Sequence, residues 1–141
     1  MEKLQIKFTG PGMMPMYAKD GDAGCDLNYH GDKNILLPPG KITKVPTGIY
    51  MEIPEGYEGQ VRPRSGLSLK GIVGVLGTID SGYRGEISVI VHNVSQDPCI
   101  ITPGFKIGQI IFNKYRVASF LRVDVLSASD RGEGGFGHTG V

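Results

Sequence analysis

The chain has 141 residues, with 15 Lys and Arg against 14 Asp and Glu for a net charge of +1. It is long enough for one domain with a real core, and its charge is too even for a nucleic-acid groove or a membrane face, although two or three local cations would still serve a small polyanion. The 22 Gly and 9 Pro imply many tight turns and few long helices, short of the disordered range.

In chain order, Leu4, Ile6 and Phe8 alternate with Lys3, Gln5 and Lys7, the period of a half-buried strand. The opening MEKLQIKF is charged, and no apolar run nears membrane-spanning length, so neither a signal peptide nor a transmembrane segment is expected. Asp22-Ala23-Gly24-Cys25-Asp26-Leu27 reads as a loop with two acids: either a surface turn or an outer anchor for a magnesium-bound water. Ile49, Met51 and Ile53 alternate as a second strand. Pro63-Arg64-Ser65-Gly66 is either a plain turn or a phosphate grip of guanidinium, hydroxyl and free N–H. One or two helical turns are expected over Ser65 to Lys70.

The run GTIDSGYRGE, Gly77 to Glu86, places Asp80 behind an apolar approach and before a strand-like stretch, Glu86 to His92. A carboxylate at the mouth of a buried strand is unfavourable unless something uses it. Asp-Ser-Gly is also ordinary turn chemistry, and for this run alone the turn is the better reading. Ile87, Val89 and Val91 alternate, and Ile90 between them suggests burial on both faces. Lys106 to Phe112 reads as a strand in which Gln109 is either an internal hydrogen-bonder or a phosphate ligand. Leu121, Val123 and Val125 give a last strand.

Turns at Pro38-Pro39-Gly40, Pro54-Glu55-Gly56, Gln96-Asp97-Pro98 and Pro103-Gly104 separate these runs. Short strands so punctuated indicate an all-β fold, a distorted jelly roll or β-barrel, with at most one short helix. Residues 1–130 form the β domain. Residues 131–141 form a flexible glycine-rich tail: either a frayed end, or, with Phe136, Arg131, His138 and Thr139, a segment that orders on a ligand. Gly132, Gly134 and Gly137 fit G-x-G-x-x-G, but no following helix fits in the four residues left, so a dinucleotide site is rejected. Cys25 and Cys99 are isolated and the three His are scattered, so no disulfide framework or His/Cys metal site is expected, and a reducing cytoplasm is the default.

Five segments in order, AGCDL (23–27), PRSGL (63–67), GTIDSGYRGE (77–86), PGFKIGQ (103–109) and RGEGGFGHTG (131–140), resemble the motifs of the trimeric dUTPases. The resemblance implies hydrolysis of dUTP to dUMP and pyrophosphate by a homotrimer with sites shared between subunits. It implies Asp80 as the base for a water attacking the α-phosphorus, and Mg2+ held mainly by the phosphates with Asp26 contacting its waters. Arg64, Ser65, Gly66 and Gln109 would hold the phosphate chain, and Tyr83 would lie under the deoxyribose. The backbone of a hairpin from Leu76 through Gly77, Thr78 and Ile79 would read uracil. The tail would close over the site, Phe136 stacking on uracil, with Arg131, Gly137, His138 and Thr139 at the substrate and Arg131 and Thr139 reaching the γ-phosphate.

The family usually has Ser where His138 stands, and many bacterial members have an Asn near Gly74 and Val75 that contacts uracil. Base recognition here is therefore expected to rest on backbone groups. Two other readings share the scaffold: a dCTP deaminase, for which Glu86 is the nearby carboxylate, and a non-catalytic binding protein.

Overall fold

The computed structural model describes residues 2–137 and 139–140, so His138 lies outside the described residues. The strands are β1 (Lys7–Thr9), β2 (Cys25–Asn28), β3 (Ile35–Leu37), β4 (Ile42–Glu52), β5 (Tyr57–Arg62), β6 (Ile72–Gly74), β7 (Gly77–Ile79), β8 (Glu86–Asn93), β9 (Cys99–Ile101) and β10 (Lys106–Lys114). Helix α1 (Ser65–Leu69) follows Pro63, where the sequence calls for one or two turns.

The strands make a sheet in the order β1-β4-β8-β6, a second in the order β2-β10-β5-β7, and a β3-β9 ribbon. Every pairing is antiparallel. This is the jelly-roll-like β architecture expected. Val45, Ile49, Ile87 and Val89 of the first sheet are buried, as are Leu27, Val61, Ile107 and Ile110 of the second, with Leu37 and Ile101 of the ribbon. These inward faces supply the hydrophobic term that holds two sheets together.

Asn93 closes the end of β8. It is fully buried, donates from Nδ2 to the carbonyls of Leu37 and Asp97 (2.9 and 2.8 Å), and accepts from the amide and hydroxyl of Ser95. Every bond its amide needs is made, so its burial is tolerated and it locks the ribbon to the sheet. Cys25 is also buried, and burial pushes its thiol pKa up. It behaves as a packed apolar group, not a nucleophile.

Four local expectations change. Residues 25–28 are strand rather than loop, because Cys25 and Leu27 are both needed in the core. The first strand is only Lys7–Thr9, with Phe8 half exposed. Ile90 is not buried on its second face, since β8 turns one face to the core and leaves the other open. Leu121, Val123 and Val125 form no strand among the described residues, and Leu121 and Val125 are largely exposed. The body ends where the Tyr115 amide donates to the Gly56 carbonyl (3.0 Å). Beyond it an exposed arm, residues 116–130, carries Val117, Phe120, Leu121, Val125 and Leu126, each more than 80% exposed (87, 94, 85, 82 and 83%).

Candidate active site

β10 lies between β2 and β5, and Gln109 stands opposite both Asp26 and Arg62. The first segment and the fourth thus meet by strand pairing. A bulge between Lys106 and Gly108 inserts one residue against Asn28 and Leu27. An extra residue reverses the side-chain alternation, so Lys106 and Gln109, three apart, share the face of Asp26.

Three charges converge there. Asp26, with its side chain 17% exposed, has Oδ1 3.6 Å from Arg64 Nε and Oδ2 3.2 Å from Lys106 Nζ. Arg64 Nη1 donates to the Lys106 carbonyl (3.3 Å) and Gln109 Nε2 to the Pro63 carbonyl (3.0 Å). Gly24 packs against the Gln109 side chain, and a Cβ there would meet Gln109 Oε1 and oblige that amide to move. Two cations around one carboxylate leave a net positive face with donors already aimed. Lys106 escapes a reading of the sequence: a period-2 strand would send it away from Gln109, and only Gly108, a common bulge residue, hints otherwise. Ser65 and Gly66, both exposed, open α1 next to Arg64, whose backbone is extended and which makes no side-chain cap. Five residues carry little helix dipole, so the donors there are local N–H groups and the Ser65 hydroxyl.

Asp80 lies elsewhere. β6 belongs to the first sheet and β7 to the second, so residues 72–79 cross between sheets and β6 and β7 do not pair as a hairpin. Val75 and Leu76 at the crossing are exposed. β7 runs antiparallel to β5 with Gly77 opposite Val61 and Ile79 opposite Gly59. Asp80 is therefore level with Glu58, six residues back from Arg64, a separation of roughly 20 Å at strand rise. Asp80 is exposed, contrary to a costly burial at a strand mouth, and among the described residues its carboxylate has no partner.

The turn that carries it is well fastened. The Tyr83 amide donates to the Asp80 carbonyl (3.0 Å) and the Tyr83 hydroxyl to the Glu86 carbonyl (2.9 Å). The Tyr83 ring lies over Gly85, where a Cβ would collide with its hydroxyl. Glu86 is occupied elsewhere: its Oε2 accepts from the Gly48 amide (2.9 Å), which stands in left-handed backbone at a bulge of β4. A carboxylate tied into the sheet in this way is poorly placed to face a cytosine amino group.

The tail forms a third group. Phe136 is fully exposed in left-handed backbone (φ 47°). Arg131 Nε donates to the Gly134 carbonyl (2.6 Å), the Gly132 amide to Ser129 Oγ (3.1 Å) and the Gly140 amide to the Gly137 carbonyl (2.9 Å). These bonds are local to the tail. Thr139 is exposed as well. One chain therefore brings Asp26, Arg64 and Gln109 together and leaves Asp80 with Tyr83 on a separate turn, while Arg131 and Phe136 stand in the tail.

Among the described residues no three His, Cys, Asp or Glu side chains gather to hold a metal. Asp26 offers a hard oxygen donor, but both of its oxygens already face cations. That donor set fits a magnesium ion that arrives on a polyphosphate and keeps its own waters, not a resident metal cage.

Fold and clusters define an all-β protein with a cationic cluster on one sheet and an exposed carboxylate on a separate turn. A family profile described as dUTPase matches residues 11–140. The chain is 48% identical over 141 residues to the deoxyuridine 5'-triphosphate nucleotidohydrolase of Finegoldia magna, with 98% of this chain and 99% of that protein covered. It is 45% identical over 145 residues to that of Fusobacterium nucleatum, with 99% of each covered. A Staphylococcus bacteriophage 80alpha dUTPase solved with dUPNHPP superposes at a TM-score of 0.88 with 27% identity, 100% of each chain being covered. The chain belongs to the dUTPase family.

Proposed function

We propose that this protein is a dUTP diphosphatase that cleaves dUTP to dUMP and pyrophosphate, removing dUTP from the DNA precursor pool and supplying dUMP for dTMP synthesis. The observation that carries the reading is the convergence of Arg64 and Lys106 on Asp26 beside Gln109. It is supported by the family match over residues 11–140.

The roles follow from the chemistry each group can perform. Arg64, the Ser65 hydroxyl, the Gly66 amide and Gln109 hold the phosphate chain, with Lys106 adding charge. Asp80 accepts a proton from a water as its oxygen attacks the α-phosphorus. The bond from that phosphorus to the bridging oxygen breaks, and pyrophosphate departs with the bond electrons. Such a transfer needs positioning and charge neutralisation more than covalent chemistry. A Mg2+ ion brought in on the phosphates would supply charge neutralisation there, and Asp26 would be the residue to hold its waters. The Tyr83 ring, fixed by its hydroxyl bond, excludes a ribose 2′-hydroxyl, and backbone groups from Gly77 through Thr78 to Ile79 read uracil. A mismatched base would leave those groups unpaired, a penalty that can reach about 10⁴-fold.

Roughly 20 Å between Asp80 and Arg64 is too far for one substrate to touch both within one chain, given strand rise. The reading therefore includes a homotrimer in which each site draws on more than one copy. The exposed apolar arm, residues 116–130, supports this, since a chain alone would leave those side chains in water. The tail, residues 131–141, then closes over a site from outside, with Arg131, Gly137, His138 and Thr139 at the phosphates and Phe136 on the base. The reading places the enzyme in the cytoplasm.

Product analysis over the four canonical dNTPs, dUTP and UTP with magnesium tests the reaction, the base choice and the sugar choice together. The expected result is pyrophosphate and dUMP from dUTP, with little turnover of the others. No pyrophosphate from dUTP would overturn the reading, and ammonia from dCTP would replace it with a deaminase.

A further inference from the structure

The turn that presents Asp80 is held from one side by β7, which belongs to the second sheet. A second attachment reaches it from the first sheet. Arg84 Nη1 donates to the carbonyls of Ser81 (2.8 Å) and Tyr83 (3.2 Å), two of the turn's own residues. On its other edge, Arg84 Nε lies 3.9 Å from Glu52 Oε1 at the end of β4. Glu52 stands opposite Lys7 of β1, whose Nζ is 3.8 Å from Glu52 Oε2. The guanidinium spans a cleft of about 570 Å3 behind the turn, lined in part by Lys7, Glu52, Ser81, Gly82, Arg84 and Tyr115.

We infer that Arg84 is a positioning residue for Asp80, a strut that fixes the 80–83 turn to the first sheet through Glu52. The inference rests on Asp80 being the base. Arg84 suits the task because its nitrogens lie on separate edges of a rigid plane, so one edge gathers two carbonyls while the other faces a carboxylate. A lysine ammonium is a single point and cannot do both. The Arg84 and Glu52 side chains are more than half exposed (56 and 53%). Exposed ion pairs add little to stability. What the strut controls is therefore the direction of Asp80, to which rate is sensitive, since a displacement near 1 Å can lower turnover about 100-fold.

The test compares wild type, Arg84→Lys, Arg84→Ala and Glu52→Gln by steady-state kinetics on dUTP, thermal melting and amide hydrogen exchange. Arg84→Lys is expected to lower kcat about tenfold and Arg84→Ala about 30- to 100-fold, with KM changed little and melting near wild type. Added guanidinium ion is expected to restore part of the Arg84→Ala rate. Exchange at the Tyr83 amide, whose bond closes the turn, is expected to quicken in every variant without a change in the core strands. A wild-type kcat in Arg84→Lys, or an effect confined to KM, would overturn the inference. So would unchanged Tyr83 exchange, a readout that stands whatever the substrate is. An inactive wild type with quickened Tyr83 exchange in the variants would overturn the proposed reaction and leave the strut in place.

Discussion

Asp80→Asn is expected to lower kcat by roughly 10²- to 10⁴-fold while leaving nucleotide affinity within a few-fold of wild type. The amide matches the carboxylate in size and can still orient a water, but it cannot take the proton that water must lose. Asp80 is exposed and free of partners among the described residues, so the change leaves no buried group unsatisfied and the fold should hold. Affinity should hold too, because the proposed phosphate grip of Arg64 and Gln109 lies at the other end of the β5–β7 ladder. Single-turnover kinetics with a titration of a non-hydrolysable dUTP analogue separate the two effects. Unimpaired turnover would remove Asp80 as the base.

Ending the chain after Asp130 is expected to lower turnover by roughly 10²- to 10³-fold with the assembly intact. The cut keeps the apolar residues of the arm, Val117 to Leu126, and removes Arg131, Phe136 and Thr139. Among the described residues the tail's hydrogen bonds are local in sequence, Arg131 to Gly134, Gly132 to Ser129 and Gly140 to Gly137. Ordering such a segment opposes closure by about 1–2 kcal/mol per residue in backbone entropy alone. In the proposed site, closure would be driven by what the tail meets: phosphate oxygens for Arg131 and a base for Phe136. Once closed it would exclude water and place a guanidinium on the leaving group. Sedimentation beside turnover assays distinguishes the cases. A truncated protein that turns over normally would contradict closure, and one that dissociates would move the assembly role from the arm to the tail.

Alternation was legible where a strand has one face in the core. Ile49 and Met51 stand in β4, with Ile53 buried just past its end, and Ile87, Val89 and Val91 stand in β8, as their period-2 spacing requires. The helix after Pro63 was legible from its turn chemistry. Asp26, Arg64 and Gln109 were readable as separate hints, and the pairing of β10 with β2 and β5 joins them. Lys106 was hidden because a bulge reverses alternation without leaving a reliable mark in the residues. Residues 25–27 read as loop because Asp22, Gly24 and Asp26 outweighed two apolar positions that the core needs. Leu121, Val123 and Val125 have the spacing of a strand and pair with no strand among the described residues. Spacing records a tendency to pair, and the partner has to come from somewhere else.

In the proposed homotrimer Asp80 and Arg64 serve one substrate from different copies of the chain. Refolding Asp80→Asn chains together with Arg64→Ala chains tests this most directly. Each variant alone is expected to be nearly inactive. In a random mixture, about one site in four would pair an intact Asp80 with an intact Arg64 from a neighbouring copy. Recovery of dUTP hydrolysis to about that fraction of wild type is the predicted result. A mixture no more active than its two parents, with mixed assembly verified by mass, would contradict the shared site.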